Sequence, residues 1–399
     1  MISVSEAKQL LEQEVETLQP VQVNILDAVD CILAEDIYSP IDIPSFNQSS
    51  MDGYAICMGN EKHERNFKLV GEVKAGDSGQ ITLRKGEAVR IFTGAAVPEN
   101  AEAIIVQEKS MEMNGTVYSE EIPRKGIYIR LKSAQTKKGS LAVKKGTLLT
   151  PAALAHIASL GINEISVYRK PGISIVVTGN EIVPPGNSLL PGQVFESNSC
   201  SIRSALKQFQ VPVLSVSNAR DERTELKNCI EKNLSQCDIL LVTGGISVGK
   251  YDLVEEILGG LKVKTVFYKI SQKPGKPMYM GKLGNKIVFA LPGNPASVLV
   301  CFYEYVVPAI RKTIGYEKIN QEKIKKKLSA DVINNEDRAC FVRAKIDRDK
   351  VHPLEGQDSY MLHSFSLADA FIFIPGNKKI IRKGEEAEVH LIPHSLNCF

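Results

Sequence analysis

Two lysines three residues apart, in Lys273-Pro274-Gly275-Lys276-Pro277, set paired positive charge on a proline-stiffened loop. A preordered loop of this kind loses little entropy when it holds an anion. An exposed connection with incidental lysines explains the same residues equally well. A second stretch, Thr243-Gly244-Gly245-Ile246-Ser247-Val248-Gly249, follows the apolar run Ile239-Leu240-Leu241-Val242 and precedes Asp252. Glycine permits close approach of backbone to a ligand, and successive N–H groups cradle anions, so this loop suits a phosphate or a pterin, with Asp252 placed for a divalent cation. The plain alternative is a tight turn between strand and helix. The third stretch, Leu291-Pro292-Gly293-Asn294-Pro295-Ala296, ends one apolar run and opens another, where Asn294 and Pro295 serve as cap and first-turn residues or expose a helix start to an anion.

Carboxylates recur at the same kind of position. Glu181, in Thr178-Gly179-Asn180-Glu181, and Asp221, after Ser217-Asn218-Ala219-Arg220, each follow a strand-like run. With Asp252 they bring three acids to one sheet edge, an oxygen-rich set suited to magnesium and not to zinc. Each alone reads as a helix cap. Two further stretches, Ser49-Ser50-Met51-Asp52-Gly53-Tyr54 and Phe92-Thr93-Gly94-Ala95, carry Asp52 and Thr93. Asp-Gly is a common hairpin signal, and nothing in the residues themselves ties this pair to the distant loops.

The elements that must position these groups follow a strand, loop, helix rhythm from 172 to about 315. Its strands are 173–177, 211–216 and 239–242, and its helices are 200–208 and 223–233. That alternation predicts a mostly parallel sheet covered on both faces, whose carboxyl edge binds ligands. Residues 3–18 have helical periodicity, 24–33 is helix-prone, and Pro151 opens a helix over 151–160. Between them, short alternating runs predict a β-rich insert, and strands return near the carboxyl end. The expected organisation is multi-domain α/β plus β. It comprises a split α-containing N-terminal domain (1–43 with 131–170), an inserted β-rich domain (44–130), a central α/β domain (171–316) and a small C-terminal β-barrel domain (317–399).

Composition narrows the class. Over 399 residues, 49 basic side chains nearly balance 46 acidic ones, which argues against nucleic acid or a membrane surface as partner. The lysines of 322–328 read as a solvated strand face or linker. Eight cysteines without a Cys-x-x-Cys pair disfavour a zinc site or disulfide scaffold and fit reduced thiols in the cytoplasm. The amino terminus lacks a signal-peptide core, and no apolar run is long enough to span a membrane. The glycine loop lacks the Gly-Lys-Ser/Thr ending of an NTPase P-loop.

Taken in order, Ser50-Met51-Asp52-Gly53-Tyr54-Ala55, Arg90-Ile91-Phe92-Thr93-Gly94-Ala95, Thr178-Gly179-Asn180-Glu181, Gly244-Gly245-Ile246-Ser247-Val248-Gly249, Lys273-Pro274-Gly275-Lys276-Pro277, Leu291-Pro292-Gly293-Asn294-Pro295-Ala296-Ser297 and Asp358-Ser359-Tyr360-Met361-Leu362-His363 resemble the molybdopterin molybdenumtransferases, the MoeA and gephyrin E-domain family. The likeness spans nearly the whole chain. It implies insertion of molybdenum from molybdate into adenylylated molybdopterin, with magnesium-dependent release of AMP. It also implies a homodimer of four-domain subunits with a shared cleft, and other molybdenum-cofactor enzymes as further partners. By motif match, Gly244, Gly245, Ser247, Gly249, Lys273, Lys276, Pro292, Asn294 and Pro295 would hold the pterin phosphate and nucleotide. Glu181, Asp221 and Asp252 would bind magnesium or position the reacting phosphate. Asp52 and Thr93, with Arg343 and Ser359, would line the cleft from the partner subunit.

One segment departs from the family pattern. Where relatives carry Gly-x-Asn-Ile-Arg and then Gly-Glu-Asp, this chain has Gly126-Ile127-Tyr128-Ile129-Arg130 and then Ala134-Gln135, so the asparagine and acidic pair are missing. Two other readings stay open. One is the preceding adenylylation of molybdopterin from ATP, since the α/β module resembles that enzyme too; the other is a non-catalytic pterin-binding scaffold.

Overall fold

The computed structural model describes residues 1–59, 64–77, 81–246 and 253–394. By its internal contacts the chain divides into two compact units, one of 1–22, 30–34 and 166–399, the other of 23–29 and 35–165.

The first unit is built on a six-stranded sheet in the order Val213–Ala219, Ile173–Thr178, Ile239–Thr243, Lys286–Leu291, Tyr279–Leu283, Lys264–Tyr268. The first four strands are parallel and the last two antiparallel. Ile173–Thr178 and Ile239–Thr243 are buried at every position, as apolar β-branched runs in a doubly covered sheet must be. Helices Arg223–Gln236 and Leu253–Gly260 pack Leu226, Ile230, Leu234, Val254 and Leu258 against Val176, Leu240, Val242 and Val288. Register brings Thr178 level with Ala219, and Thr243 level with Val177 and Leu291, so the four parallel strands end together and release their loops at one edge.

Five strands of the carboxyl-terminal region, Lys323–Leu328, Ala339–Asp347, Lys350–Pro353, Ala370–Ile374 and Glu386–Leu391, close on one another as a barrel around Ala344, Val351, Ile372 and Val389. Lys323, Lys325 and Lys327 alternate with Ile324 and Leu328, which face the core, so these three form an exposed strand face. Gln272–Lys273 runs parallel beside Ala339–Asp347 and ties the two-lysine loop to the barrel.

The second unit contains a six-stranded sheet ordered Ala103–Val106, Gly53–Ile56, Glu87–Ile91, Asn66–Val73, Thr116–Ser119, Ser110–Met113. Alternating residues feed two cores, one around Tyr54, Phe67 and Val117 and one around Ala55, Val73 and Val89. The helix over 151–160 appears as Pro151–Ser159, capped by Thr150. The stretch 24–33, expected to be helical, has the 3₁₀ turn Ile25–Asp27 as its one helical turn, between the strand end at Asn24 and the bridge of Leu33 with Val167. Asn24 caps that turn, and Asp30 lies in the left-handed region at φ 61°. Two aspartates and β-branched Val29 favour turn geometry over helix there.

Candidate functional site

A cleft of about 1260 Å³ opens at the carboxyl edge of the parallel strands. Glu181, Asp221, Gly244, Gly245, Lys273, Lys276, Pro292, Asn294, Pro295 and Ser359 all line it. The sheet order sorts them by charge. Glu181 and Asp221 follow the first two strands in space, whereas the glycine and asparagine loops follow the next two. Ser247, Gly249 and Asp252 lie outside the described residues.

Gly244 and Gly245 both have positive φ, 86° and 62°. A Cβ on Gly244 would stand 2.7 Å from the Thr178 carbonyl oxygen, and one on Gly245 would stand 2.7 Å from Val254 Cγ2. The turn is therefore open only to glycine on both conformational and steric grounds.

Asp221 stands exposed at the cleft, yet partial desolvation raises its carboxyl above the usual range, with the negative charge of Glu181 adding to the rise. A divalent cation would relieve that repulsion, and magnesium commonly takes one or two protein carboxylates beside substrate oxygens. The pair fits such an ion. Among the described residues no cluster of three or more candidate ligands gathers, so the third acid of the expected set rests on Asp252.

Lys273 Nζ bonds Glu336 Oε1 at 3.1 Å, and Arg338, also on the cleft, bonds the other oxygen of Glu336 at 2.7 Å. Arg338 first, and then Lys273, hold the Glu336 carboxyl below its ordinary range. Neither Glu336 nor Arg338 stood out in the sequence, because their spacing carries no motif. Asn294 Nδ2 donates to Ser359 Oγ at 2.7 Å, and Ala296 N donates to the Ser359 carbonyl at 3.0 Å. Ser359, expected from a partner subunit, thus stands in the cleft of its own chain. Asn198 at the rim donates to the Gly293 carbonyl at 2.9 Å.

Arg343 differs from its expected place on the cleft wall. It is 1% exposed, and its Nη2 donates to the carbonyls of Gly356 and Asp358 at 2.8 and 3.1 Å. It shapes the loop that presents Ser359 from behind.

Asp52 and Thr93 belong to the second unit and meet each other. Thr93 N and Thr93 Oγ1 each donate to Asp52 Oδ1 at 2.7 Å. These bonds, the side-chain one first, hold the Asp52 carboxyl below its usual range. Arg90 lies close by, donating to Tyr54 OH at 2.7 Å and to Gln107 Oε1 at 2.5 Å. In the segment lacking the acidic pair, Lys132 Nζ pairs with Asp42 Oδ2 at 3.4 Å, so a carboxylate faces this stretch from another part of the chain.

Comparison with known proteins matches three family models in succession. They are the MoeA N-terminal region (domain I and II) at 2–161, the probable molybdopterin binding domain at 174–312 and the MoeA C-terminal region (domain IV) at 325–392. A molybdopterin molybdenumtransferase of Haemophilus influenzae is 33% identical, over 99% of this chain and 100% of its own length. One from Staphylococcus epidermidis is 30% identical over 98% and 95% respectively. The crystal structure of a molybdopterin biosynthesis MoeA protein from Pyrococcus horikosii superposes with TM-score 0.84 at 34% identity, covering 98% of this chain and 99% of that one.

Proposed function

The chain belongs to the MoeA family of molybdopterin molybdenumtransferases, and from that premise we propose how its residues carry out the transfer. It is an enzyme of molybdenum cofactor biosynthesis that inserts molybdenum into molybdopterin. Its substrates are molybdopterin, taken in the adenylylated form, and molybdate. The observation that carries this reading is the convergence of Gly244, Lys273, Lys276, Asn294, Glu181 and Asp221 on one cleft.

The link between pterin phosphate and AMP carries negative charge that increases at the leaving oxygen as it breaks. Lys273 and Lys276 offset that charge, and the Gly244-Gly245 turn lets the phosphates approach the backbone. Water or a molybdate oxygen attacks the AMP phosphorus, and the P–O bond to the pterin phosphate breaks. With water, AMP leaves carrying that oxygen and its proton passes to solvent. With molybdate, the Mo–O bond then breaks to release AMP as the two pterin thiolates bond the molybdenum. No side-chain nucleophile is needed. Glu181 and Asp221, joined by Asp252, would hold Mg²⁺, which supplies charge neutralisation to the phosphates when bound. The sulfur ligands of molybdenum come from the pterin, so a cysteine cluster has no part to play.

A homodimer in which Asp52 and Thr93 of a second copy reach the cleft accounts for the motifs so distant in sequence. The seven cysteines among the described residues are all free, which supports a cytoplasmic setting. Among the described residues no helix is long and apolar enough to cross a membrane.

Molybdate-dependent release of AMP from adenylylated molybdopterin, measured with and without Mg²⁺, tests the reading directly. Formation of the AMP ester from molybdopterin and Mg-ATP would assign the protein to the preceding step instead. Tight pterin binding without AMP release would make it a scaffold.

A further inference from the structure

The two-lysine loop is held from beneath by a buried side-chain pair, and we propose that Tyr305 and Gln272 are positioning residues for anion binding by Lys273 and Lys276. This inference rests on the reading that the loop grips the substrate phosphates.

Gln272 and Tyr305 are both 0% exposed. Gln272 Nε2 donates to the carbonyl of Pro274 at 3.0 Å and to that of Gly275 at 3.4 Å, while its Oε1 accepts from Tyr305 OH. Two carbonyl oxygens can only accept, so the amide nitrogen must face the loop and the amide oxygen must face the phenol. Those carbonyls fix which way the amide points, and Tyr305, donating to the amide oxygen, anchors the amide that supports the loop. Burial raises the phenol well above its ordinary range, which keeps it the protonated donor this arrangement requires.

Two further features support the role. Tyr305 sits on the π-helical turn Phe302–Val306, a local departure from α-helix often found at functional sites. Gly275, at φ 90°, packs so closely that a Cβ would lie 2.5 Å from Cys301 Sγ and 2.9 Å from Gln272 Nε2. The loop thus lies directly on the buried amide, with both lysines lining the cleft beyond it. A loop released from this support would have to be ordered by its ligand, at a cost in affinity.

The experiment is calorimetric titration of adenylylated molybdopterin into the wild type, Lys273→Ala, Lys276→Ala, Tyr305→Phe, Gln272→Met and the double variant Tyr305→Phe/Lys276→Ala, with thermal midpoints alongside. Tyr305→Phe and Gln272→Met are each expected to weaken binding about tenfold, the scale of one lost buried hydrogen bond. KM should rise and kcat should fall with it, since the same lysines offset the charge on the leaving oxygen, so kcat/KM should drop further than affinity does. The double variant should bind little worse than Lys276→Ala, because both changes act through one loop. Additive losses, or unchanged affinity in Tyr305→Phe when Lys276→Ala is weakened, would overturn the positioning role and leave the function standing. Unchanged affinity in Lys276→Ala and Lys273→Ala would instead remove the reading on which it rests. Should Tyr305→Phe fail to fold, Gln272→Met and its double variant with Lys276→Ala decide the question in the same way.

Discussion

His390 Nδ1 stands 2.9 Å from Glu304 Oε1, with both side chains at 1% exposure or less. The other imidazole nitrogen meets Glu388 Oε1 at 2.8 Å, and Lys8 from the helix Val4–Glu14 bonds Glu304 Oε2. Burial alone would raise the Glu304 carboxyl, but Lys8 and His390 outweigh it and bring the group down to about 2. Burial alone would likewise lower the His390 imidazole, and Glu304 and Glu388 outweigh it to raise it. The cluster joins the amino-terminal helix, the helix after the Asn294 loop and the carboxyl-terminal barrel. The His390 contribution to stability is fully present below the ordinary histidine value of about 6.5 and is lost as pH rises through the raised folded value. Urea unfolding across that window should show stability falling with pH in the wild type and a flatter profile in His390→Gln. His390→Ala should cost about 3–5 kcal/mol, the scale for breaking a buried ion pair from one side. Equal pH slopes in the two proteins would show that the imidazole is not charged.

Thr93 lowers the Asp52 carboxyl through two bonds to one oxygen. Thr93→Val removes the larger of the two influences and keeps the backbone donor, so the Asp52 carboxyl should rise toward its ordinary value. If ionised Asp52 is needed for turnover, the acidic limb of the rate profile moves to higher pH in Thr93→Val and stays in place in Thr93→Ser. A carbon-13 titration of the Asp52 carboxyl checks the shift independently of activity. An unmoved titration curve in Thr93→Val would exclude this control.

Local sequence carried much of this molecule. Apolar β-branched runs such as Ile173–Thr178 and Ile239–Thr243 declare buried parallel strands, and the loops after them must share an edge once the strands run parallel. Reading those loops as one site therefore required only the sheet. The buried groups were a different matter. Lys8 lies 296 residues from Glu304, and Glu304 lies 86 from His390, with no spacing to link them, and Gln272 looks like any polar residue before a loop. Arg343 was set on the cleft wall by the family resemblance alone, whereas packing turned it inward to the carbonyls of Gly356 and Asp358. The helical pattern at 24–33 failed because turn-forming residues prevailed over apolar spacing.

Steric limits at the glycine turn give a third prediction. Gly244→Ala must place a methyl 2.7 Å from the Thr178 carbonyl, a backbone atom that cannot swing aside. Gly146 also has positive φ, 83°, but a Cβ there meets nothing within 4 Å. Gly146→Ala thus reports the conformational cost alone, about 1 kcal/mol, and Gly244→Ala should cost about 1–3 kcal/mol more by urea unfolding. Substrate KM should rise only in Gly244→Ala. Equal losses in the two variants would mean that the turn shifts to accept the methyl.

The Glu181 and Asp221 pair sets stability against cation binding. Because partial desolvation and the Glu181 charge raise Asp221, its ionised form is penalised in the folded protein at neutral pH. Removing either charge lifts part of that penalty. Without divalent ions, Asp221→Asn and Glu181→Gln should therefore melt at or slightly above the wild-type temperature. Adding Mg²⁺ reverses the order, since a cation bound only by the folded state stabilises in proportion to its occupancy. The wild type should gain several degrees and the variants little, and AMP release should fall by at least about tenfold in both, one lost charge-assisted contact. Thermal scans with and without Mg²⁺ supply the comparison. An equal Mg²⁺ shift in all three proteins would place the ion elsewhere and leave these two acids as caps of their loops.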